Sequence, residues 1–543
     1  MSSLPIEKFP EVLVTDSRLL QEEHKTAVLR GAKQIYYSQF TANGADSNTM
    51  SFNCPSKTPH SEIDRNIQLL VPVRLTITIP SGVPALSHIL RSDLCNFRSY
   101  PIHKALDSMS MTINNERFDV RLAPIVSALE HYNTSRRLKL LEFSTSPNYG
   151  TCHAQDFHDL DSGTRSGLTF FANSLAGISP QAFPFTVVSQ TNVGGACVSV
   201  VDAVFIESLW LSPLHWGYES DNLQALRGVK NLNFSFKWLN NAPFRMLAVD
   251  DFGLGAVAPT ATLQCSFTAS DNFSYSDLKP KLLINYLEPQ CFLPASEPSY
   301  LERFDFQTFT KTASTAVASQ AEAVLQSDII KLPVIPHKFF IFVERPLSEL
   351  TSSPYHPDVF FGIENIELEW NGISVLGSAH MAQIYRICVK NGLQLEYSTW
   401  RGAAYNNSAA GADFGTSGFQ FSSTGTIICL DIMDLGLSPE LISSNTNQYS
   451  LRVKVTTKNL NRTDSITPEL HVVVLTDYLV SMDNKLNQID SRVKKPIVIF
   501  DEAKNCATSQ KEGPLPKEGV NALRRGNWKE LQHNIKKGDV FPF

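Results

Sequence analysis

A chain of 543 residues is longer than the roughly 250 to 300 residues over which one hydrophobic core keeps growing, so two large domains are expected. Its 43% hydrophobic and 18% charged content excludes bulk disorder, and 33 Phe against 8 Met favours rigid aromatic packing over flexible helical bundles. The net charge of −6 conceals an acidic body and a basic end: residues 481–543 hold 12 Lys and Arg against 8 Asp and Glu, a balance of +4, which leaves −6 − 4 = −10 for the rest and excludes a nucleic-acid platform.

Residues 1–60 are polar and aperiodic, with Pro5, Pro10, Pro55 and Pro59, and read as an N-terminal arm that needs a partner surface. A first β domain is expected over 61–293. It opens with seven apolar residues at every second position, Ile67, Leu69, Val71, Val73, Leu75, Ile77 and Ile79, a half-buried strand. Ala85 to Leu94 has helical spacing; Met109 to Asn114 reads as a strand ending in a turn at Asn114 and Asn115; Ala123 to His131 is again helical. Polar loops at 144–167 and 190–195 precede the alternating Leu232, Phe234, Phe236 and Trp238.

A connector is expected over 294–330, opening with Pro294, Glu297, Pro298 and Tyr300. Within it Thr312 to Gln326 is open between a helix, from its alanines, and an extended entry to a second sheet, from the alternation through Val317. The second β domain, 331–480, holds the apolar run Phe339 to Val343, the alternating Ile366, Leu368 and Trp370, a helical stretch from Ser378 to Lys390, and strands near 427–432, 449–458 and 470–480. Residues 481–543 form a polar C-terminal tail. The order of events in the second domain repeats the first, so the chain reads as all-β, two copies of one fold.

The chemistry of catalysis is hard to find. There is no GxxxxGK, GxGxxG, GxSxG or HExxH motif. Cys152, His153 and His158 share a polar loop but lack four ligands at zinc spacing. Asp250 with Asp251, or Glu364, Glu367 and Glu369, could form a glycosidase pair, but Glu367 and Glu369 alternate with Ile366, Leu368 and Trp370 and belong on the polar face of a strand. Tyr405, Phe414 and Phe419 could cradle a glycan or simply pack surface loops. In the tail, Asp501, Glu502, Glu512, Glu518 and Glu530 interrupt the basic residues, so no specific nucleic-acid site is expected there. No catalytic residue, cofactor or metal site is therefore assigned. The nine cysteines are scattered and never spaced as CxxC, which suits buried free thiols in a reducing compartment. Neither a signal peptide nor a transmembrane segment is expected, since residues 1–30 carry Glu7, Lys8, Glu11, Asp16 and Arg18 and no apolar run reaches membrane length.

Several segments, in order, resemble one family. Phe97-Arg98-Ser99-Tyr100-Pro101-Ile102, then Met109 to Asn115, then Ala123 to His131-Tyr132 is similar to a run in the double jelly-roll major capsid proteins of polintons and polinton-like viruses, the lineage that includes virophages and adenovirus hexons. Ile206 to Gly217 followed by Gly228-Val229-Lys230-Asn231-Leu232 resembles that family's next station, with Ser208 where proline is usual and Asn115 where glycine is commoner. Pro336 to Arg345, Pro357-Asp358-Val359-Phe360, Ile363 to Asn371 and Val389-Lys390-Asn391-Gly392 resemble the stations of the second half. The resemblance implies two consecutive eight-stranded jelly rolls with short inserted helices and long loops, a homotrimer with a pseudo-hexameric outline, and contacts with neighbouring capsomers and with penton and minor capsid proteins, the last through the tail. It implies a structural role in an icosahedral virion around a DNA genome, with no reaction catalysed. The alternative reading is a two-domain β-sandwich that binds glycans or hydrolyses them, which a secretory signal, disulfides or a carboxylate pair in a groove would favour.

Overall fold

The computed structural model describes residues 32–55, 61–79, 95–98, 100–132, 185–193, 196–212, 214, 225–249, 260–289, 299–353, 356, 358, 360–377, 379–402, 404–406, 420–422, 425–435, 449–461, 465–483 and 488–493. Eight principal strands lie before residue 290: β1 (Ala32–Thr41), β2 (Thr49–Pro55), β3 (Gln68–Ile79), β4 (Leu106–Ile113), β5 (Glu116–Val120), β6 (Ala196–Ser208), β7 (Asn231–Trp238) and β8 (Lys281–Pro289). They form two antiparallel sheets in the orders β1-β8-β3-β6 and β2-β7-β4-β5. Short strands extend both sheets, among them Phe185–Val193 beside β6 and Thr260–Gln264 beside β3.

Eight more follow: β9 (Ser299–Thr312), β10 (Glu322–Gln326, resumed at Ile330–Leu332), β11 (Lys338–Glu344), β12 (Gly362–Trp370), β13 (Ile373–Ser374), β14 (Ile427–Asp431), β15 (Tyr449–Lys458) and β16 (Glu469–Asp483). Their sheets run β9-β16-β11-β14 and β10-β15-β12-β13. Adding eight to every strand of the first pair of sheets gives the second pair. Each pair is a jelly roll, so the fold is a tandem of two.

Local chemistry repeats with the topology. Asn114, in the β4–β5 turn, and Asn371, in the β12–β13 turn, both take left-handed backbone angles (φ 53° and 51°), which asparagine tolerates better than most residues. The Asn114 side chain accepts from the Lys230 N–H (2.8 Å) at the entry to β7, and Asn371 accepts from the Ser450 N–H (2.8 Å) in β15. The same turn residue thus stitches the same strand in each roll.

Burial follows the alternation where one face of a strand meets water. β7 alternates exposed and buried residue by residue, with Leu232, Phe234, Phe236 and Trp238 inward. β11 does not alternate: all seven residues, Lys338 to Glu344, are buried, and Leu470 to Leu475 of β16 are buried beside it. Such runs belong to strands covered on both faces. Part of the second cover comes from the second roll's own Phe360, against Phe342 (5.5 Å between ring centres), and the rest from the first roll, which also meets β9. Tyr132 meets Phe340 edge-on (5.4 Å between ring centres), the Arg303 guanidinium lies over the Phe118 ring (4.6 Å), and the Phe304 N–H donates to Ser212 Oγ (2.8 Å).

Several sequence boundaries are corrected. The expected arm, 1–60, contains β1 and β2; the expected connector, 294–330, contains β9 and β10; and the expected tail from 481 still belongs to β16 as far as Asp483, with a further strand, Gln488–Val493, paired to it. The open stretch Thr312 to Gln326 is not a helix: Val317 is bridged to Ile466, a turn follows at Ser319 and Gln320, and Glu322–Gln326 is strand. The cause is visible in exposure. In β1 the outward Ile35 and Tyr37 are 45% and 77% exposed, and in β10 Val324 is 60% exposed, so apolar residues on the wet face blur the alternation. The helical stretch Ala123 to His131 shrinks to α2 (Val126–Leu129), while Ser378 to Lys390 becomes a helix, Met381–Lys390, capped by His380 and Gln383. The expected helix Ala85 to Leu94 and the loop 144–167 lie outside the described residues. Cys54, Cys265, Cys388 and Cys429 are buried and free, and burial pushes the thiols of Cys54, Cys265 and Cys388 up to about 12. Among the described residues no helix is long and apolar enough to cross a membrane.

Two-sided burial of β11 makes it the strand least tolerant of truncation. Phe340→Ala should cost about 3–5 kcal/mol in denaturant unfolding, whereas Val324→Ala, on the wet face of β10, should stay within about 0.5 kcal/mol of wild type.

Candidate functional site

The first roll brings three cations to one point. Tyr100 adopts a left-handed conformation (φ 48°) and Pro101 starts a one-turn helix, α1 (Pro101–Ala105). Glu207 of β6 holds the start of that helix, accepting from the Ile102 N–H (2.7 Å) and the His103 N–H (3.0 Å). It also pairs with His103 Nδ1, while His103 Nε2 faces the Trp210 N–H (3.3 Å). The ring therefore carries its proton on Nδ1, with Nε2 free to accept. A second one-turn helix, α3 (Ala242–Met246), begins after Asn241, also left-handed, and packs against α1. Strand Cys95–Phe97 pairs with Leu247–Val249 and places Arg98 beside both.

Lys104 from α1, Arg245 from α3 and Arg98 all converge on Asp358, a loop residue of the second roll. Arg245 Nη1 lies 2.7 Å, Lys104 Nζ 3.0 Å and Arg98 Nη1 3.2 Å from its carboxylate, and all four side chains are at most 1% exposed. Arg98 also donates to the Leu247 carbonyl (3.0 Å) and the His356 carbonyl (2.6 Å), and Lys104 reaches Glu130 (3.4 Å). Burial by itself would raise the Asp358 carboxyl; Arg245, Lys104 and Arg98 together overcome it and hold the group well below the usual carboxylate range.

Around this cluster the rolls interlock by backbone. Tyr132, which follows α2, pairs with Leu393, which follows the Met381–Lys390 helix, so equivalent segments of the two rolls meet. The Gln394 N–H donates to the His131 carbonyl (3.0 Å), and the Tyr132 hydroxyl donates to the Ile427 carbonyl (2.8 Å). Burial raises the Tyr132 phenol well above its ordinary value, so that donor is permanent.

The carboxylates considered for glycosidase chemistry do not converge. Glu367 faces Lys454 (3.0 Å) and Glu369 faces Arg452 (3.8 Å), each its directly opposite residue on β15, while Glu364 pairs with Arg401. The first two are cross-strand ion pairs on a sheet face and the third ties the strand to the residue that ends the Tyr397–Trp400 helix, each worth a fraction of a kcal/mol. Asp250, Asp251, Cys152, His153, His158, Phe414 and Phe419 lie outside the described residues, as does the side chain of Tyr405. No group of three or more potential metal ligands occurs among the described residues. Sequence reasoning missed the charge cluster, although Arg98 and Asp358 each stand in a segment that carried the family resemblance.

Two jelly rolls in tandem, locked flank to flank within one chain, define a double jelly-roll capsid protein. Residues 7–285 match the family described as Sputnik virophage major capsid protein, 1st domain, and residues 306–478 match that described as major capsid protein V20, C-terminal domain. The chain belongs to the Sputnik virophage major capsid protein family. It is 26% identical over 487 residues to the putative capsid protein V20 of Sputnik virophage, covering 87% of this chain and 78% of that protein. The fold is similar to that in the 3.5 Å cryo-EM structure of the Sputnik virophage (TM-score 0.71, 21% identity, 95% and 98% of the two chains) and to the mavirus major capsid protein (TM-score 0.63, 13% identity, 94% and 99%). The chain is thus a structural protein of the virion capsid and not an enzyme, and the glycan-binding alternative falls away.

Removing the anion leaves three buried cations around an empty position. Asp358→Asn should cost about 3–5 kcal/mol at neutral pH. Because the folded-state pKa of Asp358 is depressed, its contribution is complete above the ordinary value of 3.8 and is lost as pH falls below it, so the gap between wild type and variant in denaturant titrations should narrow in acid.

Proposed function

We propose that three copies of this chain close into one capsomer with a pseudo-hexagonal outline, and that such capsomers tile an icosahedral shell around a DNA genome. The observation that carries the reading is the repeated strand order, β1–β8 and then β9–β16, in two rolls fixed to each other by a buried joint. One chain then offers two similar barrels at a set angle, and three chains offer six, the number a hexagonal lattice needs. We take the rolls as 32–289 and 299–493, with residues 494–543 as the segment that meets minor or penton proteins. The basic balance of that end, with Pro496, Pro514 and Pro516 among its charges, suits a segment that docks on a partner.

Protomer seams of an obligate trimer bury about 2,000 Å² or more, while contacts between capsomers are expected to be smaller, more polar and salt-sensitive. Native mass measurement of the purified chain in mild salt should give three times 60.4 kDa, 181 kDa, with a hexagonal outline by direct imaging. A chain that stays monomeric at high concentration contradicts the trimer. Truncation after Val493 should leave the trimer intact and impair shell formation; loss of the trimer on truncation would show that the segment belongs to the protomer seam instead.

A further inference from the structure

Beside the charge cluster, β11 and β16 bring two carboxylates to one imidazole. Glu344 and Glu469 are directly opposite in the antiparallel pair, and His471 Nε2 lies 3.5 Å from the first and 3.3 Å from the second. His471 is 1% exposed and stacks flat on Phe342 (4.9 Å, 5° between planes), and neither ring nitrogen makes a well-formed hydrogen bond among the described residues. One Nε2–H cannot serve two carboxylates. Like charges directly opposite on neighbouring strands repel, and the repulsion falls hardest on Glu344, which is buried, whereas Glu469 is partly exposed and accepts from the Thr312 hydroxyl (2.7 Å).

We propose that Glu344, His471 and Glu469 share one exchangeable proton, and that this proton makes the joint between the two rolls sensitive to pH. The groups facing Glu344 are His471 and Glu469 from β16, Asp358 from its own roll, and Arg245 and Lys104 from α3 and α1 of the first roll. Burial holds the Glu344 carboxyl well above the ordinary range; Arg245 opposes this, while Asp358 and Glu469 add to it. The nearby His471 ring (3.3 Å) and the Thr312 hydroxyl, which donates to Glu469 Oε1 (2.7 Å), draw Glu469 the other way, below its ordinary value. Glu344, the more deeply buried of the two carboxylates (5% against 13% side-chain exposure), is therefore the better holder of the shared proton.

The sign follows from linkage. A carboxyl whose folded-state pKa is raised contributes stability that is complete below its unfolded value, ordinarily 4.5, and is lost as pH rises through the folded value. Alkali removes the proton, leaves Glu344 and Glu469 opposed as anions, and weakens the strand end on which the first roll rests.

The test is the thermal midpoint of the full-length protein as pH is raised from mildly acidic to alkaline, for wild type and Glu344→Gln. Glutamine mimics the protonated carboxyl and cannot lose a proton. The wild-type midpoint should fall by a few degrees with rising pH and that of Glu344→Gln should fall measurably less; parallel profiles overturn the proposal. A second readout needs no variant: the infrared band of a protonated carboxyl should persist in wild type at neutral pH and disappear at alkaline pH. Its absence at neutral pH also overturns the proposal, whatever the oligomeric state proves to be.

Discussion

Asp358 and the three cations around it set the terms on which the two halves of this chain meet. Taking these charges out of water is costly, and their mutual attraction recovers the cost only when all partners arrive in the right geometry. Arg98, Lys104 and Arg245 come from one roll and Asp358 from the other, so any misdocked arrangement strands buried cations without their counter-charge. The cluster therefore acts on specificity of docking more than on net stability. The two-sided burial of β11 depends in part on that docking, because Phe340 on its outer face is covered by Tyr132 of the first roll. In the proposed trimer, six barrels form a regular outline only if the angle between barrels within each chain is fixed, and the joint is the contact placed to fix it.

Much of the architecture was legible in the sequence, and the reasons differ by element. The strands at 67–79, 231–238 and 362–370 announced themselves because one face of each meets water and keeps a strict two-residue period. The run Phe339 to Val343 was legible for the opposite reason, as an unbroken apolar stretch. β1, β2, β9 and β10 escaped: two of them, β1 and β10, carry apolar residues outward, and all four pair with strands near the other end of their roll. Pairing partners at that distance leave no local trace.

The joint shows a subtler limit. The segments that carried the family resemblance looked like separate pieces of strand and turn chemistry, yet the structure makes them one another's partners. Arg98 of the first meets Asp358; Glu207 of the next caps the helix that Pro101 opens; Asn114 binds the backbone at Lys230; Tyr132 pairs beside Asn391 and Gly392. A single sequence displays each residue but not the contact, because the contact exists only after both rolls have folded. Membership of the Sputnik virophage major capsid protein family gives the joint its purpose, as the rigid element of a building block repeated many times in one shell.

The claim that the buried joint turns two rolls into one body is tested most directly by calorimetric unfolding of the intact chain. The account predicts one cooperative transition in which both rolls melt together, splitting into two when Asp358 is replaced by alanine. Two resolved transitions in the wild-type protein would contradict it, since the rolls would then unfold independently with the joint intact.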